Sequence, residues 1–496
     1  MEAVAWLDWL NARDYWIARE ILQRGVAAIA VIAFVSTLNQ FRPLLGEHGL
    51  LPVPRLLAAR GSGGARRLRG PSLFAWWGYS DPKLVAVAWA GIVLGASVVL
   101  GLPQLGPPWV PLIVFLVLWT LYLSIVVVGQ TFYGFGWEML LCEALFTVAF
   151  LGSAHEPPPL LVLIAVWWLV FRLEFGAGMI KIRGGREWRD LTALMFHHET
   201  QPMPGPLSRQ AHLLPPWFHR CEVVANHVAQ LVVPFLLFVP GPVASVAAAI
   251  IVLTQLWLIV TGNFAWLNWL TVVLAASAVS DSAWRWALGW LPAVPSALGS
   301  GARDASGIPL WWGIVVLAAS ALFLWLAIAP LRNLLARRQL MNASFNRYML
   351  GNAYGAFGTV TKRRVEIVVA GTLAADPDSP EAEWREYAFR GKPGEVHRVP
   401  RWFAPYHLRL DWLMWFLPLG RFWEPWFETL LVRLLEADRP TLRLLAHDPF
   451  GGAPPVWVRV QAWHYRFSTR AEFHETHARW VRTLDFEVVE PMRLRD

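Results

Sequence analysis

Of the 496 residues, 56% are hydrophobic and only 16% are charged, against roughly 25% charged in an ordinary soluble domain, which excludes a wholly water-soluble protein. Charge is concentrated late: residues 1–339 hold 22 Lys+Arg and 16 Asp+Glu, residues 340–496 hold 21 and 19, and this shift places a domain boundary near 340. The net charge of +8 is spread over loops rather than gathered in one stripe, which argues for topology and lipid headgroups and against nucleic acid as a partner.

In chain order, Trp6, Leu10, Ile17 and Ile21 recur at helical spacing with charges between them, predicting an amphipathic helix in the membrane interface over 1–22. That stretch carries Glu2, Asp8, Asp14 and Glu20, so no cleavable signal peptide is expected. A first span is predicted near 25–41, followed by a polar loop, 42–83, with Arg55, Arg60, Arg66, Arg67 and Arg69 around GSGG. Residues 84–137 contain no charged residue or histidine and 223–280 contain only His227; each run holds two or three spans of about 20 residues. Further spans are predicted near 84–101, 109–128, 138–153, 159–180, 223–240, 243–261, 264–280 and 309–330. The fold class is thus a polytopic α-helical membrane bundle of about nine helices (range seven to ten) over 23–335, with polar loops at 42–83 and 181–220. The 31 Trp suit a chain with two membrane interfaces. Counting positive charge puts both polar loops and the segment after 331 on one side, the cytoplasmic side by that rule.

From about 340 the texture becomes that of a water-exposed α+β domain with a β-rich core, 340–496. Strands are predicted at 365–373, 383–392 and 457–468, and helices at 411–416 and 425–446, the latter opened by Pro425.

Ionisable groups at membrane depth need partners. Here they are Glu138, Glu143, Arg172, Glu174, Lys181 and His227. Glu174 and Lys181, seven apart, share a helix face at ~10 Å along the axis, whereas Arg172 and Glu174 point to different faces. Two readings stay open: Lys181 reaches the headgroups while Glu143 or Glu174 satisfies Arg172, or Lys181 is a buried catalytic base tuned by Glu174, Glu143 or His227. Loop 181–220 gathers His197, His198, His212 and His219 with Glu187, Asp190 and Glu199. It has no HExxH-like spacing, and adjacent histidines do not readily serve one metal, so a hydrogen-bonded cap and no metal site are expected. Cys142 and Cys221 alone supply neither a disulfide framework nor a CxxC site. No GxSxG elbow or phosphate-binding glycine loop is present, and no cofactor is expected. In the tail, Asn352, Tyr354, Phe357 and Arg364, then Tyr406, Arg409, Asp411, Trp412 and Trp415, are of the types that dominate protein interfaces. They are the candidate client-binding residues; the alternative is that the aromatics form a small core.

Several long, irregular strings resemble the lipase maturation factors: NQFRPLLGEHGLLPVP (39–54), GQTFYGFGWEMLLCEA (129–144), FGAGMIKIRG (175–184), HETQPMPGPLS (198–208), FNRYMLGNAYGAFGTVTKRRVEIVVAGT (345–372) and PYHLRLDWLMWF (405–416). The resemblance implies a multi-pass protein of the endoplasmic reticulum membrane, chaperone-like rather than an enzyme, whose loops and C-terminal domain help client lipases fold and assemble into homodimers. It also implies a lumenal C-terminal domain, opposite to the charge count, which is a poor guide for a domain of about 150 residues. In a bacterial host the corresponding site is the cytoplasmic membrane. A shorter segment, AGMIKIRGGREW (177–188), is similar to the lysine-bearing segment of vitamin K-dependent gamma-carboxylases and related horizontally transferred transmembrane proteins, with one lysine where the carboxylase has a pair. That likeness implies Lys181 as base of an integral-membrane enzyme, the alternative function.

Overall fold

The computed structural model describes residues 5–61, 68, 70–289, 307–420 and 422–494. Among them, six helices are long and apolar enough to cross a membrane, so the protein is a multi-pass membrane protein. These are α1 (Trp16–Leu45), α2 (Asp81–Val99), α3 (Trp109–Val128), α5 (Leu160–Arg183), α8 (Pro242–Thr261) and α10 (Leu310–Leu335). Three other predicted spans form shorter helices: α4 (Gly136–Val148, 13 residues), α7 (Pro216–Leu231, 16 residues) and α9 (Leu267–Ala276, 10 residues). Glycine and proline truncate α4 and α7. Gly152 follows the last turn after α4 in the left-handed region, and Pro234 follows the break after α7.

Of the interfacial helix expected over 1–22, residues 1–4 lie outside the described residues, and residues 5–22 do not form one separate helix. Ala5–Leu10 is a 3-10 turn, and α1 starts at Trp16 and runs unbroken through the predicted span. One of the charges that suggested a ramp is absorbed inside: buried Arg19 donates to the carbonyls of Ser153 and Glu156, while Asp281 accepts from the Trp16 and Ile17 amides at the start of α1, at 3.0 Å each. α1 then packs on α2 through two glycines one turn apart. A Cβ on Gly91 would sit 2.4 Å from the Phe34 ring, and one on Gly95 2.7 Å from Val31, the close approach that small residues four apart allow between membrane helices.

The tail holds a four-stranded antiparallel sheet ordered β2-β1-β3-β4, from β1 (Arg364–Thr372), β2 (Arg385–Glu386), β3 (Trp457–Phe467) and β4 (Trp480–Met492), with Val369 opposite Val460 and Ala462 opposite Phe486. Val458, Val460 and Ala462 alternate inward on β3 and join the core with Leu430, Leu431 and Leu434 of α12 (Pro425–Leu435). The predicted helix 425–446 breaks at Ala437, which has φ +49°, and resumes when Asp438 caps a second short turn. The strand expected over 383–392 shrinks to two residues.

The tail shares its interior with the helical region. One hydrophobic core runs from Leu10 on the first turn through the membrane helices to Ala462 on β3. Polar loops 42–83 and 181–220 join the same junction: Arg433 donates to the His48 carbonyl at 3.0 Å, and the Gly185 amide to the Gly358 carbonyl at 2.7 Å. Sheet and helical region share one interior, and the tail supplies the cation, Arg409, that pairs with Glu138 on α4.

Candidate functional site

Where loop 181–220, the C-terminal ends of α5 and α8 and the tail meet, they enclose a cavity of ≈ 1370 Å³. Its polar floor is a relay of amides. Lys181 Nζ, at the last turn of α5, donates to Asn226 Oδ1 and Gln230 Oε1 on α7, each at 2.9 Å. Gln230 in turn donates to Glu174 Oε2 at 3.3 Å, Gln255 of α8 donates to Glu174 Oε1 at 2.7 Å, and Asn268 of α9 donates to Gln255 at 2.6 Å. The seven-residue spacing therefore does put Glu174 and Lys181 on one face, but Gln230 bridges them. The Lys181 ammonium lies 4.5 Å from the centre of the Trp188 ring, whose indole donates to the Phe357 carbonyl at 2.8 Å.

The rest of the wall is aromatic and comes from both halves of the chain, including Trp137, Phe264, Phe357, Trp412, Trp415 and Phe416. His197 belongs to it, flat against Phe264 at 6.1 Å and edge-on to Phe357 at 4.9 Å. Burial pushes the His197 imidazole down to about 3, so it is a neutral part of an apolar wall. Phe416 and Leu419 also line the cavity and are exposed, 42% and 44%. Its mouth thus offers apolar surface.

The sequence candidates fall into three places. Lys181 and Glu174 line the cavity, and Lys181 does not reach for headgroups. Glu143 is elsewhere: on α4 it pairs with Arg172 of α5, while its Oε2 accepts from the Asn352 amide at 3.1 Å, Asn352 Nδ2 at 2.9 Å and Tyr354 Oη at 2.7 Å. His227 contacts the Trp188 carbonyl at 3.1 Å and does not line the cavity. Among the described residues Lys181 hydrogen-bonds Asn226 and Gln230, not Glu143 or His227.

The nine candidate client-binding residues do not form an exposed docking face. Asn352, Tyr354, Arg364, Arg409, Asp411 and Trp412 are buried, and Phe357, Tyr406 and Trp415 are half-buried. Their polarity is spent inside. Arg409 Nη1 pairs with Glu138 Oε1 at 2.6 Å, with its guanidinium over the Tyr133 ring. Arg364 pairs with Glu366 at 2.6 Å and Glu366 with Lys392 at 2.8 Å, the Arg364 guanidinium also donating to the carbonyls of Glu199, Gln201 and Pro202. Asp411 accepts from the Gly391 and Lys392 amides. Tyr354, Phe357, Trp412 and Trp415 nevertheless line the cavity. Asn226, Gln230, Gln255 and Asn268 were missed because uncharged amides in apolar helices carry no alarm in a scan for charges. The mid-helix pairing of Gln with Asn across α7, α8 and α9 was the available signal.

The lipase maturation factor transmembrane domain matches residues 17–286, and the lipase maturation factor C-terminal domain matches residues 350–490. This chain belongs to the lipase maturation factor family. Similar proteins include lipase maturation factor 1 of Bos taurus, 37% identical over 95% of this chain and 88% of the relative. The Homo sapiens lipase maturation factor 1 is 36% identical over 95% of this chain and 87% of its own length. Lipase maturation factor 2 of Homo sapiens is 30% identical over 92% of this chain and 80% of the relative. No solved structure matches the chain. The two lipase maturation factor domains meet at the cavity, and family membership favours maturation over the carboxylase-like alternative.

Proposed function

We propose that this chain is a membrane-embedded maturation factor for exported lipases or related exported clients, holding an incompletely folded client and assisting its folding and homodimer assembly. Relatives named lipase maturation factors, aligned over most of both chains, support this reading. The structural observation that carries it is the cavity walled by aromatics from the membrane helices and the tail, with exposed Phe416 and Leu419 at its mouth. Such a surface can hold an apolar client segment that would otherwise aggregate. We place the protein in the endoplasmic reticulum membrane, or in the cytoplasmic membrane of a bacterial host.

The contact pattern supports nine crossings, with α4, α7 and α9 completing the six long helices. At one end of the bundle, the Gly241 amide after α7 meets Tyr15 Oη and Asp281 after α9 meets the start of α1. At the other, Gln40 near the end of α1 and Asn263 before α9 bond the tail at His407 and Arg401. This count leaves both basic loops and the tail on one side.

The test is complementation of a host lacking this chain, scoring lipase specific activity against total secreted lipase, with photo-crosslinking from position 416. Wild type restores specific activity and crosslinks to the lipase. Phe416→Asp with Leu419→Asp lowers specific activity about tenfold while the factor itself accumulates normally, a loss of ~1.4 kcal/mol in client binding. Unchanged lipase activity with that variant, and no lipase adduct from 416, would reject the cavity as the client site.

A further inference from the structure

Beside the cavity, three donor groups converge that the maturation reading does not use. His198 lies on α6 (Leu194–Thr200), and His219 and Glu222 lie three apart at the start of α7. Each offers one ligand atom, and these atoms all lie within 4.8 Å of one another. His198 Nε2 is 3.5 Å from Glu222 Oε1, and His219 Nδ1 is 3.4 Å from Glu222 Oε2. A tetrahedral ion with bonds of 2.0–2.1 Å sets its donors ~3.3 Å apart, and each imidazole nitrogen already stands near that distance from one of the two Glu222 oxygens.

Hydrogen bonding around the trio points the same way. His219 Nε2 lies 3.2 Å from the His212 carbonyl, which only accepts, so Nε2 carries the proton of the neutral ring and the Nδ1 lone pair faces the Glu222 carboxylate. Two acceptors then oppose each other in a buried site, a costly arrangement without a positive charge between them. Trp257 Nε1 donates to Glu222 Oε1 at 2.5 Å. A ligand imidazole whose other N–H bonds a backbone carbonyl, and a ligand carboxylate that is itself hydrogen-bonded, are how proteins orient metal donors. Neither ring nitrogen of His198 makes a hydrogen bond, although the residue is 1% exposed.

We propose that His198, His219 and Glu222 bind a divalent transition-metal ion. Two imidazoles and one carboxylate suit Zn²⁺, with a water completing the tetrahedron. His198 and Glu222 also line the cavity, which gives that fourth position access to its space. The absence of an HExxH pattern concealed the site, because the first ligand comes from a different helix and the other two are spaced HxxE.

Metal content of the full-length protein tests this. The chain is purified in detergent through a tag without histidines, loaded with Zn²⁺, dialysed and assayed by elemental analysis, with size-exclusion elution reporting the fold. Wild type should retain one equivalent. His198→Ala and Glu222→Gln should each weaken retention at least about tenfold, the order found when metal-site geometry is disturbed. Wild type loaded with Co²⁺ provides a second readout, independent of any variant: the intense visible absorption of four-coordinate Co²⁺ should develop and disappear on adding equimolar Zn²⁺. Retention in folded His198→Ala equal to wild type, or no Zn²⁺-displaceable Co²⁺ absorption in wild type, would overturn the proposal and leave a protonated His219 paired with Glu222.

Discussion

The buried charges follow a common rule: each carboxylate on α4 takes its cation from a different part of the chain, Glu143 from Arg172 on α5 and Glu138 from Arg409 in the tail. Removing one partner of such a pair strands the other in low dielectric, at a cost of about 3–5 kcal/mol. Glu143→Leu should therefore lower unfolding free energy in detergent by about that amount, because Asn352, Tyr354 and Arg172 all lose their acceptor. Adding Arg172→Leu should recover part of the loss, a non-additivity that a double-mutant cycle reads directly. A second residue-scale prediction concerns acid. His407 is packed edge-on against Phe135, Trp137 and Trp266, and neither ring nitrogen has a hydrogen-bond partner. Burial, then the nearby Arg409 guanidinium, holds it well below the ordinary histidine value of 6.5. The folded protein keeps this ring neutral while the unfolded chain takes up a proton below that value. Stability is therefore present above pH 6.5 and falls as pH drops below it, with a slope of up to about 1.4 kcal/mol per pH unit from this one group. His407→Phe should flatten the melting temperature against pH between 6.5 and 5; an unchanged slope would show that other histidines govern the acid limb.

At the scale of elements, long apolar runs were legible because a 20-residue hydrophobic stretch has few alternatives. α3, α5 and α8 lie almost where the pattern puts them, and β1 and β3 were found from their richness in strand-forming residues. β4 was not. Asp485, Glu487 and Glu490 interrupt its apolar residues, and five consecutive positions face solvent, so it has no period-two signature and is held by pairing with β3. The ramp and the first span were divided where charges stood, although one of them, Arg19, finds its partners inside the fold. How closely α1 and α2 approach is set by Gly91 and Gly95. Gly91→Val would drive a side chain into Phe34, and overpacking of this kind costs typically 1–3 kcal/mol. Melting of Gly91→Val should drop accordingly, whereas Gly78→Ala, with nothing within 4 Å of its Cβ position, should cost only the strain of φ +69°.

Over the whole molecule, the site lies where sequence is least informative. Lys181 and Glu174 could be paired by helical spacing, but Tyr354, Phe357, Trp412, Trp415 and Phe416 of the same cavity come from the tail, some 170 to 240 positions later, and no local pattern encodes that meeting. Of the residues nominated for client docking, Arg409 and Asn352 bond inside the helical region, to Glu138 and Glu143, while Tyr354, Phe357, Trp412 and Trp415 line the cavity. This interdependence makes a crossed prediction. A chain ending at 339 keeps Glu138, fully buried in the full-length protein, but loses its partner Arg409, so it should not give a monodisperse species in detergent. Replacing the stranded carboxylate in that truncated chain, Glu138→Gln, should raise the monodisperse fraction, since a neutral amide escapes most of the charge-burial penalty. In the full-length chain the same substitution removes the partner of Arg409 and should lower stability by about 3–5 kcal/mol. Opposite signs from one substitution in two chain lengths, read by size-exclusion chromatography and thermal unfolding, would distinguish a shared interior from two domains that merely touch; equal signs would mean that the tail folds independently of α4.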